Sequence, residues 1–126
     1  MEPVMAESLA PILRDLSRAG IAPPTFDETD WMGEAEHASS MMWRGDGSGT
    51  GFSVRRADSL PDRIASAADQ VQEWAIEGEL WGRGSTNWPP CPQHPDNHPL
   101  RPTVVGSDAV WVCPADDSVV ATIGGR

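Results

Sequence analysis

"WPPCPQHPDNHPLRPTVVGSDAVWVCP", residues 88–114, is the stretch on which the reading of the whole chain turns. It holds both cysteines, Cys91 and Cys113, and two of the three histidines, His94 and His98. Such a concentration in a chain otherwise sparing with these residues points to a bound metal, and mixed thiolate and imidazole ligands suit zinc. The spacing Cys-x-x-His, at Cys91 and His94, lets two ligands of one tight turn face the same ion, and Pro92 helps to set that turn. Residues 100–113, "LRPTVVGSDAVWVC", read as a hairpin whose second strand carries Cys113 back beside that turn. "SVVATIG", residues 118–124, can add a third strand.

The pattern "CPQH … WVCP" resembles a zinc-ribbon module in which one His replaces a Cys. The resemblance covers residues 88–126 and implies two ligand-bearing turns on a three-stranded antiparallel sheet. The whole chain is also similar to small uncharacterised proteins of high-GC Gram-positive bacteria, which end in a comparable "WP-CP-HP-HPL … W-CP … IG" tail. That similarity implies no activity. At one place the sequence departs from the ribbon pattern: Asp116 stands where the second turn would carry a Cys. The fourth ligand is therefore His98 or Asp116. Imidazole suits a closed zinc site better than a lone carboxylate, which favours His98. Pro95 and Pro99 argue against a helix carrying both histidines and leave an extended turn to bring His98 in. Two other readings of the thiols stay open, a Cys91–Cys113 disulfide and a ribbon that has lost its metal. The start of the chain, Met1-Glu2-Pro3-Val4, shows no basic and apolar secretory pattern, so the expected compartment is the cytoplasm, where thiols stay reduced.

Upstream, residues 60–81 predict a helix. Ser59 and Asp62 resemble a capping box, and Leu60, Ile64, Ala67, Val71, Trp74, Gly78 and Trp81 trace one stripe. Arg63, Asp69, Gln72, Glu73 and Glu79 fall on the opposite, solvated face. The tryptophans of the stripe read as core rather than as a stacking platform. Residues 41–55 predict a hairpin packed on that helix through Met41, Trp43, Phe52 and Val54. Its glycines read as turn residues and not as a phosphate loop, because no helix follows and the chain has no Lys. A first helix is expected over residues 8–19, with Ser8 as N-cap, Pro11 in the first turn and Gly20 as the stop. Residues 21–39 read as an irregular acidic connection. The expected class is thus α+β: helix, β-hairpin, helix, then a C-terminal three-stranded zinc-ribbon-like module. An acidic portion, residues 1–87, precedes the module at residues 88–126.

Composition narrows the function. The chain has 126 residues, 39% of them apolar, which allows only a modest core. The tail has few bulky apolar side chains beyond Trp88, Leu100, Trp111 and Ile123, so a metal staple would offset the cost of ordering it. Nine Arg without Lys, alongside much Ala, Gly and Asp, is a composition typical of high-GC bacteria or their phages. A net charge of −10, with no basic face in either half, disfavours nucleic acid, whose phosphates need cations. A membrane span is not expected, since no apolar run is long enough. The expected partner is another protein, one with a basic surface fitting best. Enzyme activity is not expected. "AEH" at residues 35–37 has the wrong order for a zinc deaminase, no nucleophile elbow exists, and His37 reads as a surface residue. The leading expectation is a non-enzymatic interaction or adaptor protein with a structural zinc. An assembly component of a phage particle or bacterial complex, and an immunity-type inhibitor of a basic toxin, are the alternatives.

Overall fold

Helix α1 (Pro3–Arg18) opens the chain with Pro3 at its first turn, where a missing N–H is harmless. Its buried stripe is Met5, Leu9, Ile12 and Leu16. The computed structural model describes residues 1–27, 29–80 and 86–125. Ser8 is not the cap expected from the sequence. It lies inside the helix, fully buried, and its hydroxyl donates to the Val4 carbonyl one turn back at 2.6 Å. Pro11 therefore sits in the helix interior rather than its first turn. The C-terminus does follow the sequence. Gly20 takes φ +71°, its N–H bonds to the Ser17 carbonyl, and the Ile21 N–H reaches back to Leu16 at 3.0 Å. Ile21 and Leu16 are both buried there, completing a Schellman stop.

The acidic connection is more structured than expected. It supplies β1 (Thr25–Phe26) and the start of β2 (His37–Trp43), which pairs with β3 (Gly49–Arg55). The three form one antiparallel sheet in the order β1-β2-β3. Register decides which side chains go inward: Ser40 faces Phe52 and Ala38 faces Val54. Ala38, Met42, Phe52 and Val54 are buried, whereas Met41 and Trp43 are half-exposed on the other face. The expected set mixed the two faces, because residues one apart in a strand point oppositely. Trp43 instead turns its indole N–H to Asp27 at 2.8 Å. That bond, helped by the Thr29 N–H, holds the Asp27 carboxyl below the usual carboxylate range.

Helix α2 (Leu60–Trp74) starts as expected, with the Ser59 hydroxyl accepting from the Asp62 N–H at 3.3 Å. Ala67, Ala68, Val71 and Trp74 are buried, but Leu60 is 41% exposed. Two residues assigned to the solvated face turn inward. Arg63 reaches α1, donating to Ser8 Oγ at 2.9 Å and to the Val4 carbonyl while pairing with Glu7 at 2.8 Å. Gln72 spans to the C-terminal part, donating to the Trp88 and Leu100 carbonyls at 3.0 and 2.7 Å. Both are polar groups whose burial is compensated by bonds to backbone or charge. Gln70, half-buried, docks against the edge of β3. Its amide accepts from the Ser53 N–H at 3.1 Å and donates to the Ser53 carbonyl at 2.8 Å. After Trp74 the helix widens into a π-turn, Ala75–Glu79, closed by the Leu80 N–H on the Ala75 carbonyl. Gly78 lies there under the Arg44 guanidinium, which stacks on Trp74 at 4.7 Å. Any Cβ at Gly78 would collide with that guanidinium. Trp81, expected to end the helical stripe, lies outside the described residues, as does Glu28 of the acidic connection.

The C-terminal part forms a second antiparallel sheet, β4 (Arg101–Val105), β5 (Asp108–Val112) and β6 (Val119–Thr122), in that order. Among the described residues the chain is thus mixed α+β, with two α-helices and two three-stranded antiparallel sheets. A single buried cluster runs from Met5 on α1 through Phe52 and Trp74 to Trp111 and Ile123. Asp15 on α1 ties the ends together: it is buried, and its Oδ2 accepts from the Trp111 indole and from the Gly124 N–H, both at 2.8 Å. Gly124 takes φ +87°, and a Cβ there would fall against the Cα of Pro11, so a side chain would be strained and would also collide.

Candidate metal centre

The ligand-bearing residues lie on two irregular segments at one end of the second sheet. The first is a loop closed at its base by the Leu100 N–H on the Pro89 carbonyl and a Pro90–Pro99 bridge. Within it the His94 N–H bonds to the Cys91 carbonyl, which is the tight turn expected of Cys-x-x-His. A second turn follows at once, with the Asn97 N–H on the His94 carbonyl, and this carries His98 around to the same side. The second segment leaves β5 at Cys113. The Asp117 N–H bonds to the Cys113 carbonyl at 2.7 Å, and Asp117 adopts the left-handed φ of 60° that Asp tolerates. Below both segments, Trp88 and Trp111 meet edge to face at 6.2 Å.

These turns bring Cys91, His94, His98 and Cys113 together, with one ligand atom of each inside a set no wider than 4.8 Å. Both cysteines are fully buried and neither is in a disulfide. Nδ1 of His94 stands 3.7 Å from the Cys91 sulfur and 3.8 Å from the Cys113 sulfur. One imidazole nitrogen cannot satisfy two thiols with a single proton or lone pair. A shared cation can: with zinc bonds of about 2.3 Å to sulfur and about 2.0 Å to nitrogen, tetrahedral ligand atoms stand about 3.6 Å apart. His98 completes the case for fit. Its Nδ1 lies 3.3 Å from the Pro99 carbonyl, and its Nε2 is buried without a partner among the described residues. A proton on Nδ1, held by that carbonyl, would leave the Nε2 lone pair free for a metal, as an orienting carbonyl does for a metal-bound imidazole.

Asp116 does not join the four. Its Oδ1 accepts from the Ser118 hydroxyl at 2.7 Å and from the Ser118 N–H at 3.0 Å, and these bonds hold its carboxyl below the ordinary range. Its other oxygen is not engaged by Ser118, and the carboxyl also faces the Cys113 thiol, so Asp116 sits beside the four without belonging to them. Burial pushes the Cys113 thiol up, while the N–H groups of Ala115 and Asp116 pull the other way. His37, the remaining histidine, is not among the four; it lies at the start of β2 with its Nδ1 3.0 Å from a Glu34 carboxylate oxygen.

Three polar groups that support this end of the molecule were not singled out from the sequence as such. Gln72 braces the loop base through Trp88 and Leu100, Asp15 anchors Trp111, and the Pro99 carbonyl orients His98. For Asp15 a signal existed, because it falls on the apolar face of α1 beside Ile12 and Leu16. Fold and cluster together define a small mixed α+β chain whose four Cys and His side chains could hold one metal ion. No known protein family, curated protein or solved structure matches it. No helix among the described residues is long and apolar enough to cross a membrane.

Proposed function

We propose that this chain is a non-catalytic protein-interaction or adaptor protein whose C-terminal part is a zinc-ribbon-like module clamped by a structural zinc ion. Cys91, His94, His98 and Cys113 are its ligands. The observation that carries the reading is the convergence of two fully buried thiols and two imidazoles from separate turns on one small volume. A set of two sulfurs and two nitrogens suits zinc over calcium or magnesium, which prefer oxygen. Four protein ligands also complete a tetrahedron, leaving no position for the water that zinc hydrolases activate. Free buried thiols fit a reducing compartment such as the cytoplasm. The ion's contribution is to hold two loops that their own side chains hold weakly; the protein's surface then does the binding.

Two measurements test this. Mass spectrometry under native conditions should give one zinc per chain, and a folded protein free of metal would overturn the clamp. Affinity purification from the native host should retain a stable protein partner, and a bare chain at every salt concentration would overturn the adaptor role.

A further inference from the structure

A groove of about 610 Å³ runs between α2 and the segment that leads into β4. Its floor is apolar, made by Ile76, Leu100 and Pro102, and the Gln72 amide fixes the Leu100 carbonyl beneath it. Pro99 and Pro114 stiffen the far side, so little freedom remains to be lost when something binds. The near wall is acidic. Asp69, Glu73 and Glu77 are exposed and follow one another every four residues along α2 and the π-turn. On a helix that spacing places them about 6 Å apart. Among the described residues none of the three has an ion-pair partner. Arg101, at the rim, is held by Asp117 at 2.8 Å, so the wall's charge is not cancelled from within.

We propose that this groove docks an extended basic segment of a partner protein, with Lys or Arg side chains on Asp69, Glu73 and Glu77 and an apolar side chain seated on Ile76, Leu100 and Pro102. Alternate residues of an extended chain lie about 6.6 Å apart, close to the step between the carboxylates. Charge excludes the competing occupants. Nucleic acid and anionic membrane surfaces meet a like-charged wall, and a second copy would bring another −10 to the contact. His98 also lines the groove, so the cluster that orders its loop also shapes the docking surface. This inference rests on the adaptor reading and names its surface.

The probe is a fluorescein-labelled peptide alternating arginine and leucine, titrated into the full chain with metal content measured on the same sample. One peptide should bind per chain, and raising salt from about 0.05 to about 0.5 M should weaken it, as screening demands. The double variant Glu73→Lys/Glu77→Lys should lose at least tenfold in affinity. Glu36→Lys/Asp108→Lys, with the same change in net charge on other exposed sites, should bind as the parent does. Equal loss in that control, equal binding of a glutamate–leucine peptide, or no binding by the parent overturns the groove. So does self-association that disappears in Glu73→Lys/Glu77→Lys, which would make the occupant a second copy. Purification from the native host reads the adaptor role separately. A partner retained equally by the parent and by Glu73→Lys/Glu77→Lys removes the groove and keeps that role. A parent that retains no partner removes the role, whatever the peptide does.

Discussion

In the first sheet the strands close over apolar side chains, whereas beyond the end of the second the turns close over two thiols and two imidazoles. Ala38, Met42, Phe52 and Val54 are buried on one face, with β3 against α2 and β2 against α1, and Phe26 adds an edge-to-face contact with Phe52 at 5.9 Å. The second sheet has one comparable strand, β5, with Val110, Trp111 and Val112 buried, while β4 and β6 are largely half-exposed or exposed. What converges beyond its end is polar: two thiols and two imidazoles. Burial of apolar area stabilises a sheet without any ligand. Four lone-pair donors crowded together stabilise nothing until a cation joins them. Both sheets thus share one apolar core, and the second adds at its end a cluster of four side chains that could hold a metal ion.

The comparison breaks most visibly at Cys113. Cys113→Ser should take zinc from one per chain to none, removing a contribution on the order of 10 kcal/mol in small zinc modules. Hydrogen exchange should then show β4–β6 losing protection while β2 and β3 keep theirs; simultaneous loss in both sheets would erase the distinction. Phe52→Ala is the converse experiment. Truncating a buried aromatic costs about 3–5 kcal/mol, so the urea midpoint should fall while metal content stays at one per chain. Asp15 joins the halves, and its effect should be smaller. Asp15→Ala leaves the Trp111 indole and the Gly124 N–H without their acceptor, at about 1–3 kcal/mol, and Asp15→Asn should recover part of this by keeping one carbonyl oxygen. Stability of Asp15→Ala equal to the parent's would show that the halves do not depend on that contact.

The smallest effect is a titration. Because the Trp43 indole and the Thr29 N–H hold Asp27 ionised, its carboxyl should titrate below its ordinary 3.8 by NMR, and Trp43→Phe should move it back up. The sign follows: a depressed folded value adds stability above the unfolded value, and this is lost as pH falls through the folded one. An Asp27 that titrates at 3.8 or above would refute the contact.

The legible parts of the sequence were those with a local cause. Gly20 must end a helix because its neighbours cannot take φ +71° cheaply, and Ser59 must cap because its hydroxyl faces an orphan N–H. The Cys91–His94 spacing belongs to the same kind, since one turn fixes both side chains. Reading failed where a distant partner decided. Ser8 looked like a cap until Arg63 and the Val4 carbonyl gave its hydroxyl a buried role. Arg63 and Gln72 looked solvated because polarity alone does not reveal a buried acceptor waiting elsewhere in the chain. Met41 and Trp43 invite an inward placement by their bulk, but the strand's parity is fixed by pairing with β3, which composition does not specify. Between His98 and Asp116 spacing alone does not decide: the turn after His94 brings His98 into the cluster, while Ser118 engages one oxygen of Asp116.

One side chain has a consequence for the molecule in a crowded solution. Gln70 occupies the N–H and carbonyl of Ser53 as an adjoining strand would, so β3 offers no free docking rung at that point. An incoming chain would have to displace an amide already seated there before it could extend the sheet, which guards this edge against runaway stacking into fibres.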